Sequence, residues 1–175
     1  MINDGVSKKG IDFAHQTGVK LIIILDCGIK AIQEIEYAKS LGIDFIICDH
    51  HVPDDVMPPA VAILNPKRPD DPFPFKHLCG CGVGFKFMQA FAKNNNIPFS
   101  RLIPLLDFCA VSIAADIVPV VDENRILAFH GLKLLNTNPS IGLKSIIDIC
   151  GLNGRELSMS DIVFKIGPRI NASGR

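Results

Sequence analysis

The sequence lacks an excess of charge of either sign. Its 175 residues carry 18 Lys plus Arg and 18 Asp plus Glu, a formal net charge of zero at pH 7. A protein that coats nucleic acid non-specifically needs many Lys and Arg side chains on phosphates, so any nucleic-acid contact must be local. The composition is also not that of a disordered chain, because 48% of the residues are hydrophobic. We expect a folded chain of about one domain.

Long apolar runs and an obvious disulfide framework are absent as well. No run approaches the ~18 apolar residues of a membrane span, and charged residues scattered over positions 1–20 exclude the core of a signal peptide. The six cysteines lie mostly inside apolar runs, which is typical of buried free thiols in a reducing compartment. The sequence therefore predicts a cytoplasmic protein.

Short apolar runs indicate an α/β fold. The runs 19–25 and 43–48 are rich in β-branched residues, as in strands of a parallel sheet that is covered on both faces. Between them, apolar residues recur at helical spacing over 29–41, and a third short strand is predicted at 60–64. Strand, helix and strand in this order predict a parallel sheet flanked by helices.

The chain as a whole, 1–175, is predicted to have three parts. The α/β part covers 1–66, a Pro- and Gly-rich loop covers 67–82, and a mainly helical part covers 83–175. In the last part, helical spacing of apolar residues predicts helices at 83–93, 100–117, 123–135, 143–150 and 160–165.

Two carboxylates follow directly after predicted strands. Asp26 ends the first strand and Asp49 ends the second, followed by His50 and His51. Because parallel strands end at one edge of a sheet, these side chains are expected to gather there. Each Asp alone is better explained as a helix N-cap or turn residue. Both together with two imidazoles favour a site for Mn(II), Mg(II) or Zn(II) in hydrolytic chemistry.

Four motifs in order carry a resemblance to a known family. They are Leu25-Asp26-Cys27-Gly28, Asp49-His50-His51, Ala115-Asp116-Ile117-Val118-Pro119, and Gly167-Pro168-Arg169-Ile170-Asn171-Ala172-Ser173-Gly174-Arg175. Together they resemble the DHH phosphoesterase superfamily, and within it the RecJ-like exonucleases specific for single-stranded DNA. The last motif separates RecJ-like proteins from pyrophosphatase-like and oligoribonuclease-like relatives.

The resemblance implies roles for individual residues. Asp26, His50 and Asp116 match metal ligands of a site that holds two Mn(II) or Mg(II) ions in the family. His51 matches an imidazole that acts on the scissile phosphate, and Asp49 matches the partner that holds the histidine pair. These two are therefore the predicted catalytic residues.

A basic segment closes the sequence. Residues 163–175 contain Lys165, Arg169 and Arg175 and no acidic residue. Guanidinium groups suit phosphate oxygens, so Arg169, Asn171 and Arg175 are predicted substrate contacts. A solvated C-terminal tail is the alternative explanation of this segment.

The sequence departs from the family pattern in two respects. The family's first motif, an Asp-x-Asp run on a strand, is not found, and neither is its second domain. We therefore expect a piece of the catalytic domain with an incomplete metal site, inactive by itself.

The predicted function is that of a RecJ-like 5′ to 3′ exonuclease acting on single-stranded DNA in repair and recombination. A helicase and a single-strand-binding protein are its expected partners, and no membrane is involved. The alternatives are a phosphoesterase for short oligonucleotides and a non-catalytic nucleic-acid-binding module of the same fold.

Overall fold

The computed structural model describes residues 5–173. The chain divides into two compact units, Met1–Lys76 and His77–Arg175, referred to below as the first and second unit. The boundary falls inside the stretch 67–82, where Pro and Gly are frequent. Within the described range, no helix has both the length and the apolar character needed to cross a membrane.

The first unit is a parallel α/β fold. Its described elements are α1 (Lys8–Gln16), β1 (Leu21–Leu25), α2 (Ile32–Ser40), β2 (Asp44–Cys48) and β3 (Ala62–Leu64). The strands are all parallel in the order β1-β2-β3, and Leu25 pairs with Cys48, which pairs with Leu64. The parallel sheet predicted from the sequence is confirmed. Its strands end together, so the residues that follow them meet at one edge.

The helices cover one face of this sheet. Ile11 of α1 and Ile35 of α2 join Phe45 and Ile47 of β2 in a single buried cluster, against which Ile22 and Ile24 of β1 pack. Burying these apolar side chains is the main stabilisation of the first unit.

The first strand differs from its prediction. The apolar run predicts burial on both faces, but Leu21, Ile23 and Leu25 are exposed by 46%, 46% and 52%. β1 is the end strand of the described sheet, and α1 and α2 pack against its other face. An unbroken apolar run cannot show which of its two faces is covered, because both faces carry the same residue types.

The second unit is helical. Its described elements are α3 (Gly80–Asn94), two 3₁₀ turns (Phe99–Arg101 and Ile103–Leu105), α4 (Leu106–Ala115), α5 (Asp122–Thr137), α6 (Ile141–Ile149), α7 (Met159–Asp161), a π-helical turn (Ile162–Ile166) and α8 (Gly167–Ser173). Helix α4 lies in the middle of this unit, with Ala110 and Ala114 in the same buried cluster as Leu135, Leu143 and Ile162.

Two helix starts differ from the predictions. The helix predicted from 83 begins at Gly80, where the Cys79 thiol accepts a hydrogen bond from the Gly82 N–H at 3.2 Å. The helix predicted from 100 begins only at Leu106, after the 3₁₀ turn that contains Pro104. Proline has no N–H to donate and is tolerated only in the first turn of a helix, so the regular ladder starts after it.

Candidate metal centre

The ends of β1 and β2 bring two carboxylates to one edge of the first unit. The Asp26 N–H donates to the Cys48 carbonyl at 2.8 Å, and the Asp49 N–H donates to the Leu64 carbonyl at 3.0 Å. Each aspartate thus extends its strand pairing by one hydrogen bond. Helix α2 has Ala31 as its N-cap, so Asp26 is not a helix cap.

Asp26 and His50 form one of two acid–imidazole pairs described at this edge. The His50 Nε2 and Asp26 Oδ1 atoms are 3.1 Å apart, with His50 buried and the Asp26 side chain 48% exposed. Two neighbouring ligands of an octahedral divalent ion lie about 3.0 Å apart when each bond is about 2.1 Å. The pair therefore fits two positions around one such ion.

His51 adds a third potential ligand. One ligand atom each of Asp26, His50 and His51 lies within 4.8 Å of the others. The His50 and His51 rings meet edge to face with centroids 4.6 Å apart. A carboxylate and two imidazoles, without a thiolate, form a donor set that suits Mn²⁺ and other divalent ions of hydrolytic enzymes.

The turn after β1 is conformationally unusual. Asp26 has a left-handed backbone with φ of 65°, which Asp tolerates better than most residues. At Gly28, φ is 101°, and a Cβ atom would lie 2.0 Å from Ile24 Cδ1. The Ile24 methyl group can move aside, but the left-handed φ strains any residue with a Cβ atom, so the tight turn that presents Asp26 favours glycine at position 28.

Asp49 is buried, and its carboxylate accepts hydrogen bonds from three backbone N–H groups. Its Oδ2 accepts from the Ile29 N–H at 2.9 Å, and its Oδ1 accepts from the N–H groups of His50 at 2.7 Å and His51 at 3.1 Å. Burial alone would raise the pKa of this carboxyl. The pKa of Asp49 is nevertheless lowered, because hydrogen bonds stabilise its charged form more than burial destabilises it. These bonds come from the Ile29 and His51 backbone, the His51 ring and the His50 backbone.

The ionised Asp49 also fixes the tautomer of His51. The Asp49 Oδ1 and His51 Nδ1 atoms are 2.7 Å apart. An ionised carboxylate only accepts hydrogen bonds, so Nδ1 must carry the proton. The other nitrogen, Nε2, then offers a lone pair to a metal ion, and it donates to a phosphate oxygen only when it carries a proton as well.

Cys27, between Asp26 and Gly28, is not an activated nucleophile. Burial, together with the negative charges of Asp49 and Asp26, raises the pKa of its thiol. A protonated thiol is a poor nucleophile. The chemistry of this edge therefore rests on carboxylates and imidazoles.

A cleft of about 320 Å³ borders these side chains within the first unit. Asp26, Asp49 and His51 line it together with Lys30 and Glu34. A phosphate group and a hydrated ion fit a space of this size.

Asp116, the third predicted metal ligand, lies in the second unit. It is the C-cap of α4, and the Ser112 hydroxyl donates to its Oδ2 at 3.1 Å. The next residue, Ile117, is 79% exposed and has a left-handed backbone with φ of 53°. For a β-branched residue this conformation is strained, so the turn at Asp116 and Ile117 has an energetic cost.

We expect that replacing Ile117 by Asn stabilises the second unit. Asn adopts the left-handed conformation with less strain, and the exposed Ile side chain loses little packing, so the free energy of unfolding should rise by about 1 kcal/mol. Thermal unfolding followed by circular dichroism measures this. Ile117→Val keeps the β-branch and should leave the stability unchanged. Equal stability of the Asn and Val variants would show that no strain is stored there.

The predicted substrate contacts Arg169 and Asn171 are exposed residues of α8. Being two residues apart on a helix, they are rotated by about 200° and point to different sides. Arg175 lies outside the described residues. The segment before α8 begins with a capping box, in which Ser158 and Asp161 bond reciprocally, and Arg155 pairs with Asp161. The closing basic segment is thus helical in its described part.

Comparison with known proteins identifies the family. The family model described as DHH family, N-terminal domain, matches residues 2–113. The chain belongs to the DHH family. The resemblance inferred from the four motifs is confirmed.

Within the DHH family, the chain is similar to RecJ. It is 38% identical over 181 residues to the single-stranded-DNA-specific exonuclease RecJ of Escherichia coli (strain K12), covering 98% of this chain and 31% of that protein. It is 39% identical over 171 residues to RecJ of Bacillus subtilis (strain 168), covering 98% of this chain and 21% of that protein. The chain thus spans a third or less of the length of these relatives.

A solved structure supports the same relationship. The crystal structure of RecJ from Thermus thermophilus in complex with Mn²⁺ matches with a TM-score of 0.78 and 27% sequence identity, covering 95% of this chain and 24% of that chain. The α/β fold predicted for this DHH-family chain is therefore confirmed by its similarity to a RecJ structure.

The structure brings four predicted site residues of the DHH motifs together in the first unit: Asp26, Asp49, His50 and His51. One residue that supports this edge, Asn65, is not predicted from the sequence. Its buried side chain donates to the His51 carbonyl at 2.8 Å and accepts from the Lys67 N–H at 2.9 Å. An Asn before a proline at a strand end is the only sequence signal of this role, and it indicates no more than a turn.

Proposed function

We propose that this chain is the metal-binding part of a RecJ-like exonuclease that hydrolyses phosphodiester bonds in single-stranded DNA. The observation that carries the proposal is the group formed by Asp26, His50 and His51 at one sheet edge, with ligand atoms within 4.8 Å of one another. The names of the RecJ relatives, which are single-stranded-DNA-specific exonucleases, support the substrate. The Mn²⁺ complex of a similar RecJ supports the metal.

Asp26 and His50 are the residues that would hold Mn²⁺ or Mg²⁺ in the first unit. An ion bound there supplies a Lewis acid that neutralises charge on phosphate oxygens. We propose Asp116 of the second unit as a further ligand of a site that takes two ions in the complete enzyme. Its carboxylate and exposed position suit this role.

His51 is the proposed catalytic imidazole, and Asp49 is the proposed residue that orients it. The hydrogen bond between Asp49 and Nδ1 holds the ring in one tautomer and one orientation. In its protonated form, the ring donates from Nε2 to a phosphate oxygen. The hydrogen bonds from Ile29 and the histidine backbone keep Asp49 itself ionised and in place.

The substrate strand is proposed to reach the closing basic segment as well. Arg169, Asn171 and Arg175 are its proposed contacts, because a guanidinium group pairs with phosphate oxygens through two parallel hydrogen bonds. We also propose the 5′ to 3′ direction, a role in repair and recombination, a cytoplasmic location, and a helicase and a single-strand-binding protein as partners. The six free thiols agree with a reducing compartment.

Substrate choice tests this function. In the presence of Mn²⁺, the full-length protein should degrade a single-stranded DNA oligonucleotide that carries a label at one end or the other. Addition of EDTA should stop this hydrolysis, and blunt duplex DNA should stay intact. Release of the label from the 5′ end first would support the proposed direction. Faster hydrolysis of dinucleotides than of long strands would instead support the short-oligonucleotide phosphoesterase. DNA binding without hydrolysis under any divalent ion would support the non-catalytic module.

A further inference from the structure

The cleft beside the candidate metal centre has an uneven distribution of charge. Three of its lining residues are acidic, Asp26, Glu34 and Asp49, whereas Lys30 is the single Lys or Arg among the described residues that line it. Divalent ions offset the charge of the ligating carboxylates. A phosphodiester brings a further negative charge into the same space, and it needs a donor of its own.

Lys30 is placed to be that donor. It lies in the connection from β1 to α2, four residues after Asp26, and its exposed side chain borders the same cleft as His51. A lysine carries its charge on a flexible stem of four carbons with three rotatable donors, so it can follow a phosphate as the strand moves through a site.

The present partner of Lys30 is easily replaced. Its Nζ atom lies 2.8 Å from Oδ1 of Asp54, and the two side chains are 58% and 57% exposed. Exposed ion pairs of this kind contribute little to stability, because water and salt screen them. Asp54 itself belongs to the loop that follows His51, so the pair spans the two connections that flank the sheet edge.

We propose that Lys30 binds a non-bridging oxygen of a substrate phosphodiester next to the scissile one, and that this phosphate displaces Asp54. The inference rests on the proposed function and adds a specific binding residue to it. Lys30 acts on the ground state as much as on the transition state, because the contacted phosphate is not the reacting one. Its removal should therefore weaken substrate binding and leave the chemical step unchanged.

The test compares Lys30→Gln, Lys30→Arg and Asp54→Asn in the full-length protein with a single-stranded DNA oligonucleotide and Mn²⁺. Lys30→Gln should raise KM by about five- to tenfold with kcat within about twofold of the unmodified protein. It should also reduce the slope of log affinity against log salt by about 0.7, the value for one lost phosphate contact on a single strand. Lys30→Arg should retain KM, and Asp54→Asn should lower it by about twofold because the competing carboxylate is gone.

Lys39→Gln is the matched control. Lys39 is an exposed lysine in the last turn of α2 that does not line the cleft, so its replacement removes the same charge at a different place. If Lys30→Gln and Lys39→Gln give the same KM and salt slope, or if Lys30→Gln lowers kcat at constant KM, the assignment of Lys30 is wrong. Failure of the proposed function is a separate result, in which the unmodified protein shows no Mn²⁺-dependent nuclease activity.

Discussion

Replacing Asp26 by Asn lowers Mn²⁺-dependent hydrolysis of single-stranded DNA by about 10³-fold or more in the full-length protein. The substitution removes the carboxylate that lies 3.1 Å from His50 Nε2, and with it the charge that holds a divalent ion at the sheet edge. A loss of about 4 kcal/mol of transition-state stabilisation corresponds to this factor. Initial rates with a labelled oligonucleotide measure it.

Replacement of Asp26 by Asn, and not by Ala, distinguishes a loss of catalysis from a loss of stability. Asp26 has a left-handed backbone, which Asn tolerates and Ala does not, so Asp26→Asn should unfold at the temperature of the unmodified protein. Asp44→Asn is the charge control, because Asp44 is an exposed aspartate at the opposite end of β2. More than a tenth of the activity remaining in Asp26→Asn, with Asp44→Asn unaffected, would contradict the role of Asp26 as a metal ligand.

Replacing Gly131 by Val destabilises the second unit by about 3 kcal/mol or more. A Cβ atom at Gly131 in α5 would lie 2.1 Å from the Leu106 carbonyl oxygen and 2.7 Å from Ala110 Cβ in α4. Both contacts are with rigid parts of α4, so the two helices must separate along the central cluster of this unit. Because natural domains are stable by only about 5–15 kcal/mol, this loss should lower the midpoint of urea unfolding by about 1 M or more.

Urea unfolding followed by far-ultraviolet circular dichroism measures this effect, since the second unit is helical. Gly142→Ala in α6 is the control, because a Cβ atom at Gly142 meets nothing within 4 Å. Alanine is the better helix former there and should leave the stability equal or raise it by up to about 1 kcal/mol. A Gly131→Val variant as stable as the Gly142→Ala variant would show that α4 and α5 do not depend on this close approach.

Much of the first unit could be predicted because its signals are local. The β-branched runs ending at Asp26 and Asp49 mark two strands, and parallel strands necessarily end at one edge. The exposure of Leu21, Ile23 and Leu25 could not be predicted, since it depends on which face of the strand the helices cover. Neither could the interaction of Asn65 with the His51 carbonyl, which joins residues 14 positions apart.

The candidate site could likewise be predicted only where its geometry is local in the sequence. Adjacent residues such as Asp49, His50 and His51 are close in any fold, so their motif already contains most of the local geometry. The tautomer of His51 required the structure, because it follows from the position of a single hydrogen bond to Asp49. The roles of Asp116 as a metal ligand and of Arg169 as a substrate contact come from the motif resemblance. Both stay predictions until variants are assayed.

Direct measurement of Mn²⁺ binding shows whether the edge formed by Asp26 and His50 holds the metal ion. Titration of the full-length protein with Mn²⁺, followed by the loss of the free-ion signal in electron paramagnetic resonance, requires no substrate and no turnover. The unmodified protein and Asp44→Asn should bind Mn²⁺ equally, and the double variant Asp26→Asn/His50→Gln should bind it at least about 100-fold more weakly. Equal binding by the double variant would place the metal elsewhere and contradict the assignment of this sheet edge as the metal centre.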